Sequence, residues 1–188
     1  MILYVNSCVR EDSRTQKIAN HLLKLLNDDV EEIKLEKIKF PITDEKFINK
    51  RDELKRNNQL DDKIFDLGRQ FQKADIIVIA APYWDLSFPA SLKQYIEQIN
   101  VLNITFKYDD NGVPTGLCNA KKLYYVSTAG GNYCNMDYSY GYIKELCHTF
   151  YGINDTELIF ANGLDIVGNN PDEIVEDCIK NCIKNIKI

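Results

Sequence analysis

Apolar residues along this chain gather into short, β-branched runs separated by longer stretches with helical spacing. Ile2-Leu-Tyr-Val-Asn6 reads as a buried strand, and the polar segment Ser7 to Arg14 leads into Ile18, Ala19, Leu22, Leu25 and Leu26, the stripe of an amphipathic helix. Val30, Ile33 and Leu35 predict a second strand. Asp75-Ile-Ile-Val-Ile-Ala-Ala81 is a continuous apolar run suited to a central parallel strand covered on both faces. A helix follows at Leu92, Tyr95, Ile96 and Ile99, then a fourth strand at Lys122 to Thr128 and a helix through Ile143, Leu146 and Phe150. A fifth strand, Glu157 to Ala161, precedes a final helix that starts near Pro171 and carries Ile174, Val175, Cys178, Ile179 and Ile183.

This alternation predicts an α/β fold: a doubly wound, five-stranded parallel sheet of order 2-1-3-4-5 with helices on both faces. In such a sheet, ligands bind at the carboxyl ends of strands 1, 3 and 4. Two segments stand outside the alternation. Thr43 to Asp62 is dense in charge and reads as a helix or a loop, and Thr105 to Leu117 contains Asn111-Gly112, a hairpin-turn signal.

A length of 188 residues with 45% hydrophobic content predicts one domain over residues 1–188. The net charge of −5 is spread along the chain with no basic cluster, which argues against nucleic acid as a partner. Six cysteines at wide, irregular separations read as reduced thiols of a cytoplasmic protein. Cys178 and Cys182 stand four apart on the last helix, but His21 and His148 are far away in sequence, so no metal site is assigned. No apolar run reaches the length of a secretory or membrane-spanning segment, and no membrane partner is expected.

Chemistry gathers at the predicted strand ends. Ser7-Cys-Val-Arg-Glu-Asp-Ser-Arg-Thr15 places three hydroxyls and two guanidinium groups where a loop meets a helix N-terminus, an arrangement suited to a phosphate. A Gly-x-Gly-x-x-Gly is absent there, so one terminal phosphate fits better than a dinucleotide pyrophosphate. Pro82-Tyr-Trp-Asp-Leu-Ser-Phe-Pro89 follows strand 3 with two adjacent aromatics and an acid, on which a flat ring could rest. Thr128-Ala-Gly-Gly131 follows strand 4, and its paired glycines let backbone approach a ligand closely. Each loop also has a plain structural reading as a cap, packed aromatics or a tight turn; their convergence on one sheet edge favours the joint functional reading.

The sequence resembles the FMN-dependent NADH azoreductase family, among the NAD(P)H quinone oxidoreductase-like flavodoxin folds, over nearly its whole length. The resemblance rests most on Ala81-Pro82-Tyr-Trp-Asp-Leu-Ser-Phe-Pro89 with Leu92-Lys93 and Tyr95, then on Thr105-Phe-Lys-Tyr108, Gly116-Leu117, Lys121-Lys122 and Gly130-Gly131. Phe150-Tyr-Gly-Ile153 and Ala161-Asn-Gly163 extend it.

By that resemblance, Ser7, Ser13, Arg14 and Thr15 hold the phosphate of FMN, with FAD the alternative cofactor. Pro82, Tyr83, Trp84, Asp85 and Leu86 border the isoalloxazine ring together with Thr128, Ala129, Gly130 and Gly131. The resemblance also implies a homodimer with sites at the interface, in which Tyr108 and Phe150, beside Phe106, reach across to the substrate side of the ring, where Tyr133 is a further candidate. It implies two-electron ping-pong transfer from NADH or NADPH to a quinone or azo compound, with the flavin N5 rather than a side chain carrying the hydride. A flavodoxin-like electron carrier is the alternative. Two positions depart from the family: Asp85 stands where Asn is usual, and Ala129 where Arg is frequent. An ionised Asp only accepts hydrogen bonds, so Asp85 is expected to be protonated, turned away or tuning the flavin.

Overall fold

The computed structural model describes residues 1–183. Five parallel strands, β1 (Ile2–Asn6), β2 (Val30–Lys34), β3 (Ile76–Ala80), β6 (Lys122–Thr128) and β7 (Asp155–Ala161), form one sheet in the order β2-β1-β3-β6-β7. Counting only these strands, that is the predicted 2-1-3-4-5. Ile2 stands opposite both Val30 and Ile76, Ile76 opposite Lys122, and Lys122 opposite Asp155, so the carboxyl ends emerge together.

The pleat splits the core in two. Leu3, Val5, Ile77, Ile79, Leu123 and Tyr125 point to one face. There they meet Phe71 of α3 (Asp66–Lys73), Leu92, Tyr95 and Ile96 of α4 (Ala90–Ile99), and Ile143 and Leu146 of α5 (Tyr140–Leu146). Ile2, Tyr4, Val78, Ala80, Tyr124 and Val126 point the other way, onto Ile18, Ala19 and Leu22 of α1 (Arg14–Leu26) and Val175 of α6 (Pro171–Cys178). Every residue of β1 is buried, as the unbroken apolar run requires.

The helix ends follow from local chemistry. Ser13 Oγ accepts the Gln16 N–H at the start of α1, and Asn27 ends that helix in the left-handed region. Asn170 caps α6, with Pro171 in its first turn and Asp172 and Glu173 facing the positive end of the helix dipole. The charge-dense segment forms α2 (Glu45–Arg56), capped by Asp44, whose Oδ1 accepts from Phe47 N–H at 2.8 Å. The hairpin signal at Asn111-Gly112 joins β4 (Phe106–Tyr108) to β5 (Pro114–Gly116), with Gly112 at φ 77°.

Four elements differ from the sequence reading. Leu35, read with the second strand, stands just past β2 in a 3-10 turn, Leu35–Lys37. Helix α3 went unpredicted because it is short and buries only Gly68 and Phe71, too few apolar positions to display a period. The helix expected to run through Phe150 is regular only to Leu146; Cys147–Tyr151 is a π turn, closed by Gly152 at φ 73°. The final helix continues as a π turn over Ile179–Ile183. The Cys182 and Ile183 side chains, expected on that helix, lie outside the described residues.

Candidate functional site

The strand ladder does not stop at the strand ends, and its continuation builds the site. Ser7 N–H donates to Ala80 O, Tyr83 N–H to Thr128 O and Ala129 N–H to Ala161 O, each at 2.9 Å. These bonds draw the loops after β1, β3, β6 and β7 together around a cavity of about 320 Å³.

At one end of the cavity the first turn of α1 presents Ser13, Arg14 and Thr15. Ser13 caps the helix through its oxygen, which leaves its proton to donate elsewhere. The Arg14 and Thr15 N–H groups belong to the helix end that has no intrahelical acceptors. Thr15 is 1% exposed, and its Oγ1 lies 2.7 Å from Thr128 Oγ1, so one hydroxyl donates to the other. Arg10 and Asp12 also line this end.

At the other end Pro82, Tyr83 and Trp84 face Thr128, Ala129 and Gly130. Trp84 is 42% exposed. Tyr83 OH donates to Asn135 O at 3.1 Å, and Ser87 Oγ donates to Tyr138 O at 2.7 Å, tying the β3 loop to the β6 loop. Desolvation pushes the Tyr83 phenol up from its ordinary pKa.

Several predicted residues stand elsewhere. Ser7 is buried at 2% exposure and donates its hydroxyl proton to Ala80 O at 2.9 Å, so it braces the loop from beneath and does not line the cavity. Asp85 and Leu86, at φ 49° and 67°, form the tip of a tight turn closed by Trp84 N–H to Ser87 O at 3.2 Å and Ser87 N–H to Trp84 O at 2.7 Å. Both are exposed and outside the cavity lining. Gly131 is also outside the lining, and Tyr133 is 86% exposed. Phe106, Tyr108 and Phe150 pack on one another, with ring centroids 5.7 and 4.7 Å apart from Phe106, away from this chain's own cavity.

The sequence reading missed the contribution of the loop after β7. Leu164 and Asp165 line the cavity, and Arg14 Nη1 donates to Asp165 Oδ1 at 3.0 Å. The Asp165 carboxylate occupies the space beside Gly130 where a side chain would begin. The available signal was Ala161-Asn-Gly163, a strand end followed by a turn residue at φ 74°.

The donor set fits a flavin mononucleotide. A helix N-terminus with two hydroxyls and a guanidinium group suits one phosphate, while Trp84 and the small Ala129-Gly130 pair leave a slot for a flat ring. The two arginines of the lining are matched by two carboxylates, so the preference for an anion resides in the helix end rather than in net charge.

A parallel sheet with loops converging in this way defines a flavodoxin-like protein. The model of the flavodoxin-like fold family matches residues 1–186, and the chain belongs to that family, among its quinone oxidoreductases and azoreductases. An FMN-dependent NADH:quinone oxidoreductase of Clostridium perfringens is 38% identical, covering 99% of this chain and 98% of its own length. The protein of the same name from Coprothermobacter proteolyticus is 34% identical over 95% of this chain and 94% of its own. The crystal structure of an azoreductase from Bacillus anthracis superposes with a TM-score of 0.83 at 25% identity, covering 97% of this chain and 96% of the other.

Proposed function

We propose that this chain is an FMN-dependent oxidoreductase that takes a hydride from NADH and reduces a quinone or azo compound in a second, separate half-reaction. The observation that carries the reading is the cavity itself: a phosphate-binding helix end at Ser13, Arg14 and Thr15, joined through the Thr15–Thr128 hydroxyl pair to an aromatic and small-residue slot. The names of the relatives support FMN and NADH in these roles.

Bound FMN supplies the hydride-accepting and hydride-donating centre. The protein's part is to bind, orient and shield. Ser13 and Thr15 hydroxyls and the Arg14 guanidinium hold the phosphate end. Trp84 offers a face for stacking, and the Ala129-Gly130 backbone borders the ring edge. With Ala129 in the position where related sequences often carry Arg, the slot has no cation at that edge and more room for a bulky apolar acceptor.

Phe106, Tyr108 and Phe150 do not line this chain's own cavity, and Tyr108 is 52% exposed. We infer that they act across a homodimer interface, covering the ring held by the partner. Sedimentation of the purified protein tests that arrangement.

The decisive experiment reconstitutes the protein separately with FMN and FAD and follows NADH and NADPH consumption with menadione and methyl red. FMN-dependent turnover with NADH supports the proposal. Flavin binding without two-electron turnover on either acceptor refutes it and favours a carrier; no flavin binding refutes both.

A further inference from the structure

We infer that Asp165 is a positioning residue for the cofactor phosphate, acting through Arg14; this rests on the FMN reading above. Asp165 stands 151 positions from Arg14 in sequence, yet its Oδ1 accepts from Arg14 Nη1 at 3.0 Å, and both side chains line the same cavity.

An ion pair between partly exposed groups contributes little to folding, and these side chains are 40% and 71% exposed. Its value here is geometric. Asp165 does not sit on a free loop: its N–H donates to Gly130 O at 2.9 Å, Leu164 N–H to Ala129 O at 3.2 Å, and Gly163 N–H to Gly131 O at 3.1 Å. Three successive backbone bonds thus fix the backbone of Asp165 against the β6 loop, and the short aspartate side chain then has few rotamers from which to reach Arg14. Arg14, by contrast, is a long side chain at the first position of α1 with several rotamers open to it. Pairing one guanidinium nitrogen with a fixed carboxylate selects one of them in advance. The other N–H donors of the fork remain for a phosphate at the helix end.

The same carboxylate also opposes a phosphate by charge, so two effects of opposite sign compete. The direct bond at 3.0 Å acts at contact range on the arginine, whereas repulsion toward a phosphate at the helix end acts at longer range and through solvent. Positioning wins on this comparison.

The test is a pair of titrations, with FMN and with riboflavin, which lacks the phosphate, on the apoproteins of the wild type, Asp165→Asn, Arg14→Met and the double variant. Asp165→Asn is expected to weaken FMN roughly ten-fold, the scale of one charge-assisted contact, and to change riboflavin by less than about two-fold. In the Arg14→Met background the Asp165 substitution is expected to have no further effect on FMN. Equal weakening of FMN and riboflavin, unchanged FMN affinity, tighter FMN binding, or additive single effects would each overturn the inference. A wild type that binds FMN no better than riboflavin instead overturns the phosphate assignment beneath it. Asp165 is exposed and the substitution keeps its backbone bonds, so thermal melts of the variants should match the wild type.

Discussion

Removing the guanidinium of Arg51 should destabilise the protein by about 2–4 kcal/mol, because it holds together the end of α4. A helix leaves its last four carbonyls without intrahelical partners, and in α4 all four are satisfied. Asn100 N–H donates to Ile96 O at 3.0 Å, and Thr105 Oγ1 donates to Ile99 O at 2.7 Å. The remaining two accept from one side chain: Arg51 Nη1 donates to Glu97 O at 2.9 Å and Nη2 to Gln98 O at 3.3 Å, with a third contact to Asn100 O at 3.4 Å. The guanidinium carbon also lies 5.7 and 5.8 Å from the ring centroids of Phe47 and Phe65. Arg51→Met keeps the apolar stem between those rings and deletes the donors. A charge-assisted bond at 2.9 Å contributes about 1.5–3 kcal/mol. The longer contacts contribute less, but Gln98 is only 5% exposed, so water replaces its lost donor poorly. At a urea slope of about 2 kcal/mol per molar, the midpoint should fall by about 1–2 M. A fall below about 0.3 M with the slope unchanged would show that α2 is simply a solvated helix and that its arginine is not the fastening.

Two further predictions concern backbone and thiols. Gly116 lies against the turn that closes the π segment, where an added Cβ would overlap the Gly152 amide nitrogen and the Tyr151 carbonyl; neither can rotate away. Gly116→Ala should therefore cost about 3 kcal/mol, read by urea unfolding, and a loss under 1 kcal/mol would mean that the hairpin shifts freely. Burial pushes the Cys8 thiol up to about 11, Cys118 to about 12, and Cys147 further still. A raised folded-state pKa means that the neutral thiol is favoured on folding, so this stability is complete below about pH 8.5 and is lost as pH rises toward the folded values. By pH 10 each thiol should have withdrawn about 1–2 kcal/mol. Cys118→Ala should reduce the alkaline loss between pH 7 and 10 by that amount; an unchanged pH profile would contradict the assignment.

The sheet was legible because its strands are continuous apolar runs, and a run such as Ile76 to Ala80 has only one environment in which it is satisfied, a strand covered on both sides. The phosphate end was legible for a local reason too: Ser13, Arg14 and Thr15 are adjacent, and a cap with hydroxyls needs no tertiary information. What the sequence concealed depends on how separate loops pack. Ser7 and Ser13 look alike in the chain, but the position one residue past β1 turns Ser7 inward onto Ala80 O. Asp85 stands at the tip of a two-residue turn, a place that only the backbone geometry reveals. Asp165 is invisible from either neighbour because its partner belongs to another loop, and no periodicity links a side chain to one so distant. The aromatic trio at Phe106, Tyr108 and Phe150 was recognised through likeness to relatives, and its position in this chain alone assigns it no ligand contact.

The hydroxyl pair between Thr15 and Thr128 has a directional consequence. Two hydroxyls carry two protons, and the 2.7 Å contact uses one of them, so one proton is left for anything else in the cleft. A phosphate oxygen that recruits the Thr15 proton obliges Thr128 to turn its own toward Thr15, and the ring side then sees a lone pair at Thr128 where it would otherwise see a donor. Filling the helix end thus reverses the polarity of the neighbouring hydroxyl at the end of β6, with no atom heavier than hydrogen having moved.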